Sequence, residues 1–492
     1  MVYNVGIAYF TMFGRMLMKR IRLLMMSLAL ISIILLQGCS NSDHGLDADD
    51  PVTLTLWHYY TGSQKQSLDK LIEEFNVTQG KEKGILIKTV AKGSMNNIST
   101  DLEASLNKKV NASPLPDIFA AYPDTVEKLD KEDQLVKLNT YLSDDEISEY
   151  VDAYMEDGKL YDQKDIKIFP VAKATEVLVV NKNAWEEFAQ ATGAKNEDLA
   201  TWEGLCKVAE SYFTYSGGKA FFGRDAIMNY LYTGSAQLGS ELFSVKGTVG
   251  TLHADKETLR KLWDHYYIPY VKGYFTKNGK FASDDMKTLD IIASVSSTAS
   301  ATFYPKEIVK EDGSLSDVEY LVLPSPDFED TKPYAVMQGA GMAVTKSDET
   351  HEYASVLFLK WFTEKERNTI FSAQSSYLPV KKESTTVDSW NNIVAKEGIE
   401  VTPLLKDIVS VSMDQVQHST LYSGKTFTNS YEVRQYLENS IRDKASEDQE
   451  KVLEAVKEGK TRAEALKSYL SDQNFNAWYE NMNKEITALL KE

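Results

Sequence analysis

The side chains able to do chemistry gather first at Trp57-His58-Tyr59-Tyr60, followed by Thr61 and Gly62. Four ring-bearing residues in a row can form a ligand-stacking surface. The competing use is structural, with Trp57 and one tyrosine covering a sheet edge. The run His58-Tyr59-Tyr60 has an echo in His265-Tyr266-Tyr267. Adjacent tyrosines with histidine can hold ferric iron only if their donors converge. The second copy falls in mid-helix, where neighbours face different sides, so core packing is expected and no metal. Glycan hydrolysis would need two cleft carboxylates at a defined separation. Asp124 and Glu176 are the candidates, on separate segments with no motif around either. Ser143-Asp144-Asp145-Glu146 is an acidic helix start rather than a catalytic pair. HExxH and GxSxG are both absent. Gly424-Lys425-Thr426 looks like the end of a P-loop, but Ser419 stands where the first glycine belongs, and the segment reads as a turn. Neither a catalysed reaction nor a cofactor is expected.

The elements that must position these residues follow from periodicity. Val52, Leu54 and Leu56 alternate with Thr53 and Thr55, the period-two pattern of a strand. Ser63 and Gln66 have capping-box spacing. Leu68, Leu71, Ile72 and Phe75 then recur at helical spacing. A buried strand, an aromatic loop and a helix thus come in order, and open α/β sheets bind ligands past the carboxyl ends of their strands. The same placement recurs at Tyr122 and Asp124, beyond the short apolar strand 118–121. It recurs again where strand 291–295 runs into Ser296-Ser297-Thr298-Ala299-Ser300. Val177 to Val180 is continuously apolar, as in a strand buried on both faces, and follows a break at 172–175. Asn229, Tyr230 and Tyr232 fall on a predicted helix. Gln338-Gly339-Ala340-Gly341 carries glycines that permit close backbone approach. Beyond Tyr377-Leu378-Pro379-Val380 the chain is almost wholly helical in pattern.

Residues 1–38 contain no acid, and Lys19, Arg20 and Arg22 precede an apolar run over 23–36. That run is short for a membrane span and fits a signal-peptide core. It ends Leu36-Gln37-Gly38-Cys39-Ser40, which resembles the bacterial lipobox, so lipidation at Cys39 is expected. Met16 or Met18 would make a more ordinary start than Met1. The polar, acidic stretch 41–50 reads as a flexible tether between lipid and domain. The other cysteine of the two, Cys206, sits on a helical stripe as a small hydrophobe. With Cys39 committed to lipid, no internal disulfide remains, and two cysteines without a CxxC pair exclude a thiolate zinc site. The net charge is −18, and without the four basic residues of 1–38 it becomes −22. So acidic a surface argues against nucleic acid as a partner. The length allows two domains, and 27 tyrosines with 7 tryptophans suit a large core plus a ring-lined cleft.

In chain order, "LTLWHYYTG", "PDIFAAYPD", "FPVAKATEVLVVNK", "TWEGL", "GAGMAVTKSDETHEYASVLFLKWFTEKERN" and "YLPV" resemble the family 1 extracellular solute-binding proteins of ABC importers. The resemblance implies an α/β, two-lobe periplasmic-binding-protein-like fold with a ligand cleft between the lobes. It implies lobes of 51–172 plus 325–362 and of 173–324 plus 363–492, behind a 1–38 signal peptide and a 39–50 lipidated tether. It also implies a monomer, held at the extracytoplasmic face of the cell membrane through Cys39, that passes a carbohydrate to a membrane permease without catalysis. One branch of the family binds glycerol phosphate and its diesters. Thr298, Gly339, Tyr377 and Arg434 fall where that branch places ligand contacts, with Arg434 as the phosphate partner. Ala120 and Ala174 depart from that branch's polar contacts. The ligand-contacting set expected from position and resemblance together is Trp57, Tyr59, Tyr60, Gly62, Tyr122, Asp124, Thr175, Asn229, Tyr230, Thr298, Gln338, Gly339, Tyr377 and Arg434. A surface glycan-degrading enzyme is the alternative from another class, and a structural adhesin is disfavoured by the strand-tip pattern.

Overall fold

The computed structural model describes residues 44–161, 163–309 and 314–491. The expected signal peptide, Cys39 and the start of the tether lie outside these residues. Among the described residues no helix is long and apolar enough to cross a membrane.

The strands that matter for the site are, in chain order, β1 (Val52–His58), β2 (Ile85–Ala91), β3 (Ile118–Ala121), β4 (Ile168–Phe169), β5 (Glu176–Asn181), β6 (Phe222–Arg224), β7 (Ala293–Ser297), β8 (Tyr320–Pro324) and β9 (Gly341–Val344). They form two separate sheets. The first has five strands in the order β2-β1-β3-β9-β4. Its β1 runs parallel to β2 and β3, while β9 is antiparallel to β3 and β4. The second has four strands in the order β8-β5-β7-β6, with β5 antiparallel to both neighbours. Each sheet has its own apolar core, and this is the two-lobe α/β architecture that the sequence implies.

The sequence patterns find their physical counterparts. In β1, Leu54 and Leu56 are fully buried against Phe75 of helix α1 (Gly62–Val77). Phe75 in turn meets Phe358 and Trp361 of the helix Glu349–Phe362 edge-on. Strand β5 is buried at every residue because it lies between two neighbours and has helices on both faces. On one face Leu178 and Val180 join a core with Trp202, Tyr230 and Trp263. On the other, Val177 and Val179 meet Trp390 and Ile408. His265-Tyr266-Tyr267 lies on the helix Lys256–Val271, where Tyr266 and Tyr267 pack inward and Trp263 stacks on Tyr267 at 3.7 Å. The acidic stretch at 143–146 starts a helix as expected, and Ser143 and Glu146 close a capping box there. The box expected at Ser63 and Gln66 does not form. Gly62 takes φ +52° and turns the chain into α1 a step earlier, so Ser63 lies inside the first turn. Residues 44–50, read as tether, lie against the first lobe instead. His44 bonds Glu349 at 2.6 Å and stacks on Tyr353, and Leu46 packs on the core.

Three segments between the two sheets pair with one another. Ala174 and Gln338 exchange two backbone hydrogen bonds, each 2.9 Å, and Lys173 exchanges two with Leu378. Gly339 takes φ +93° there, and a Cβ at that position would lie 2.8 Å from the Ala172 carbonyl oxygen. Only glycine meets both conditions. Three segments distant in sequence thus form one small hydrogen-bonded hinge.

His58 is fully buried at the end of β1, and neither ring nitrogen has a hydrogen-bond partner. Burial depresses its pKa from 6.5 to about 4, with Asp69 opposing that shift. The unfolded chain therefore takes up this proton first as pH falls. Stability contributed by the neutral ring is present above about pH 6.5 and is lost down to about pH 4, at up to about 1.4 kcal/mol per pH unit. Melting temperature measured across that window should fall in the native protein and fall less steeply in His58→Phe. Equal slopes would remove His58 as the source.

Candidate functional site

Between the lobes lies a cavity of about 480 Å³. The first lobe contributes Tyr122, Pro123 and Asp124, just past β3, together with Asp157. The hinge contributes Ala174, Met337, Gln338, Gly339 and Tyr377. The second lobe contributes Met228, Asn229 and Tyr232 from α2 (Ile227–Gln237), and Ser297 at the end of β7. It also supplies the turn 423–426, and Arg434 and Glu438 from the 28-residue helix α3 (Ser430–Lys457).

A buried carboxylate organises the hinge side of this wall. Glu176 opens β5 and is about 2% exposed. One of its oxygens accepts from Arg224 at 2.8 Å. The other accepts from the amides of Asn229 at 2.8 Å and Gln338 at 3.2 Å. Burial pushes the carboxyl pKa up, while Arg224 and Asn229 pull against that rise. Asn229 and Gln338, from separate segments, are thereby fixed beside the cavity by one anion. The Oε1 of Gln338 has no hydrogen-bond partner.

A second set of contacts spans the cavity. Asp124 Oδ2 lies 2.6 Å from Arg434 Nε, and its other oxygen is buried without a partner. Burial raises the Asp124 pKa and the guanidinium opposes the rise. Asp157 holds buried Lys173 at 2.6 Å and accepts from Ser423 Oγ at 2.6 Å. Ser423 begins the turn whose Gly424 rests against the Tyr232 ring, where a Cβ would lie 2.6 Å from the ring edge. Tyr377 and Tyr59 share a hydroxyl–hydroxyl hydrogen bond of 2.9 Å, and both phenols are raised well above their usual pKa, chiefly by burial.

Of the expected residues, Tyr122, Asp124, Asn229, Gln338, Gly339, Tyr377 and Arg434 line this cavity. Others stand behind it. Tyr59 supports Tyr377, and Thr298 is fully buried with its backbone N–H bonded to the Thr175 carbonyl at 2.9 Å. Four are corrected by the structure. Trp57 is 3% exposed and lies beside a different hollow, with Lys92 Nζ 3.6 Å over its ring. Tyr60 is core, its ring against Phe371 and Tyr377. Gly62 turns the chain into α1, away from the cavity. Tyr230 is buried, with its hydroxyl bonded to the Leu262 carbonyl at 2.9 Å. The strand-tip rule fails for Tyr60 because Phe371 and Tyr377 cover it, and for Trp57 because its ring lies under Lys92 on another side of the lobe. Lining residues outside the expected set include Asp157, Met228, Tyr232, Ser297, the turn 423–426 and Glu438. The turn was visible in the sequence as Gly424-Lys425-Thr426, and Asp157 had no local signal. Among the described residues no three His, Cys, Asp or Glu side chains group as a metal site requires.

The sequence pattern of the bacterial extracellular solute-binding proteins matches residues 70–397. No curated protein matches the chain in sequence. Solved structures do share its fold. The cyclic alpha-maltosyl-1,6-maltose binding protein of Arthrobacter globiformis is 18% identical, with a TM-score of 0.62 over 88% of this chain and 100% of its own. UgpB of Mycobacterium tuberculosis, in complex with glycerophosphocholine, is 18% identical, with a TM-score of 0.65 over 89% and 98%. The ABC substrate-binding protein Lmo0181 of Listeria monocytogenes, in complex with cycloalternan, is 16% identical, with a TM-score of 0.63 over 89% and 100%.

Two substitutions separate the structural from the ligand-facing side chains. Trp57→Ala should lower the unfolding free energy by about 3–5 kcal/mol in urea denaturation, because it empties a packed site. A cost below about 1 kcal/mol would show that the ring does not hold the core. Glu176→Ala should cost about 3–5 kcal/mol by leaving Arg224 buried without its partner. An unchanged denaturation midpoint would mean that water replaces the carboxylate at no cost.

Proposed function

The chain belongs to the bacterial extracellular solute-binding proteins, and from that premise we propose that it captures a carbohydrate in the interlobe cavity and delivers it to the permease of an ABC importer. The observation that carries this reading is the makeup of the wall. Tyr122, Tyr232 and Tyr377 supply rings, and Asp124 Oδ1 and Gln338 Oε1 are acceptors without partners. Sugars present apolar C–H faces to rings and hydroxyl donors to such acceptors. Binding would favour the closed arrangement of the lobes, and the permease would read that form. The proposed lobe limits are 51–172 with 325–362 and 173–324 with 363–492. Anchorage through a lipid at Cys39, a cleaved 1–38 segment and a monomeric state belong to the same proposal.

The relative named for binding cyclic alpha-maltosyl-1,6-maltose and the one in complex with cycloalternan favour this ligand class. A second reading, glycerol phosphate or a glycerophosphodiester, draws on the Arg434 guanidinium in the wall and on the relative that holds glycerophosphocholine. Hydrolysis is not proposed. Both oxygens of Glu176 are committed to Arg224, Asn229 and Gln338, so it is not free to pair with Asp124 as acid or nucleophile.

The test is a thermal-shift screen of the chain from Ser40 onward against mono- and oligosaccharides, glycerol phosphate and its diesters. A ligand present at 100 times its Kd stabilises the native state by about 2.7 kcal/mol. A shift with one sugar and no turnover is the expected result. Tyr122→Ala should then weaken that sugar by roughly three- to tenfold, the worth of one stacking contact. A shift with glycerol phosphate or a diester alone would promote the second reading, and cleavage of an oligosaccharide would overturn both.

A further inference from the structure

We propose that Asp124 is a specificity-determining residue that occupies Arg434 and so makes the cavity selective for uncharged ligands over phosphate-bearing ones. The inference rests on the reading that this cavity is the ligand site, but not on the ligand being a sugar.

The charges of the wall are matched pair by pair. Two cations line the cavity, Arg434 and Lys425. Arg434 Nε is 2.6 Å from Asp124, and Lys425 is ion-paired with Glu241. The remaining acidic lining residues are Asp157 and Glu438. Asp157 holds Lys173 at 2.6 Å. Glu438 takes the Met228 N–H at 2.9 Å and Arg442 at 3.6 Å. Behind the wall Glu176 holds Arg224 at 2.8 Å. Every charged group facing the cavity therefore has an opposite charge of the protein's own beside it.

An anion entering such a cavity has two poor options. It can sit beside Asp124 and meet a carboxylate, whose Oδ1 is buried and unpartnered. Or it can take Arg434 and leave Asp124 buried without its counter-charge, which costs several kcal/mol in proteins. An uncharged polyol avoids both. Its hydroxyls can donate to Asp124 Oδ1, and their oxygens can accept from the guanidinium, whose Nε–H lies beside Asp124 as an ion pair but makes no hydrogen bond. Asp124 and Arg434 come from different lobes. Closure of the cleft thus requires Arg434 to take a carboxylate partner, and Asp124 supplies it from the protein itself.

The experiment is calorimetric titration of the full chain with sn-glycerol 3-phosphate and with inorganic phosphate, for the native protein, Asp124→Asn and Asp124→Asn/Arg434→Gln. The native protein should bind both probes weakly. Asp124→Asn should bind glycerol 3-phosphate at least about tenfold more tightly, with an affinity that falls as salt rises, and the double variant should lose that gain. Native binding as tight as that of Asp124→Asn overturns the proposal, as does an absent gain in a variant that melts cooperatively. If Asp124→Asn does not fold, Asp124→Ser and the native titration decide. Tight native binding of glycerol 3-phosphate that Arg434→Gln abolishes would show Arg434 open to anions. Oligosaccharides form a separate arm. If none binds while Asp124→Asn gains phosphate, the carbohydrate reading fails and the selectivity stands. If one binds and no gain appears, the selectivity alone fails.

Discussion

A carboxylate removed from water at the root of the cleft is the interaction on which the rest of the site depends. Glu176 opens the central strand of the second sheet directly after the hinge. A carboxylate there is tolerable only with a matched cation and filled acceptor sites. Arg224 supplies the charge from the adjoining sheet edge, and Asn229 and Gln338 supply the remaining donors. The arrangement spends no ligand contact on Glu176 itself. It fixes two amides from separate segments on one point, which sets the shape of the wall.

Closure adds a second constraint, concentrated in one short stretch. Ser423 bonds Asp157, the Asn429 N–H donates to Glu127 at 3.2 Å, Tyr431 donates to Asn96 at 3.0 Å, and Arg434 pairs with Asp124. All four reach from the turn and first residues of α3 to the first lobe. Helix α3 continues into the second core through Val433, Leu437 and Ile441, so this stretch moves with that lobe. Phe427 pins it further by packing on Gly250 and Phe243. The stretch therefore acts as a clasp rooted in one lobe and fastened to the other, and it forms one face of the cavity.

Much of this was legible in the sequence, for reasons that differ by residue. The period-two run at 52–56, the helical stripe of Leu68 to Phe75 and the continuous apolar run of β5 mark elements whose burial is set locally. Strand-tip placement found Tyr122 and Asp124, because β3 is short and its tip opens directly on the cleft. The same rule misplaced Trp57 and Tyr60. Whether a ring past a strand end faces ligand or core depends on what covers it: Tyr60 lies against Phe371 and Tyr377, more than 300 residues away, and Trp57 under Lys92. Asp157 was invisible because nothing around it is patterned. Its role comes from Lys173 and Ser423, which only the folded chain brings to it. Glu176 was noticed for the wrong chemistry, since a lone sequence position does not reveal that both its oxygens are already taken.

The same charges act at two ranges. Beyond 1–38 the chain carries a net charge of −22, yet salt confines that field to about 8 Å at physiological ionic strength. It therefore slows the approach of anions without deciding what fits inside. Within the cavity charges stand a few ångströms from a ligand, and a single unmatched charge there outweighs the distant field. Local pairing of Arg434 with Asp124 and of Lys425 with Glu241 leaves hydrogen-bond geometry and ring contact to discriminate among ligands. A receptor that must release its cargo gains from that division. Neutral hydrogen bonds exchange readily with water, whereas a bare guanidinium holding a phosphate would resist reopening of the clasp.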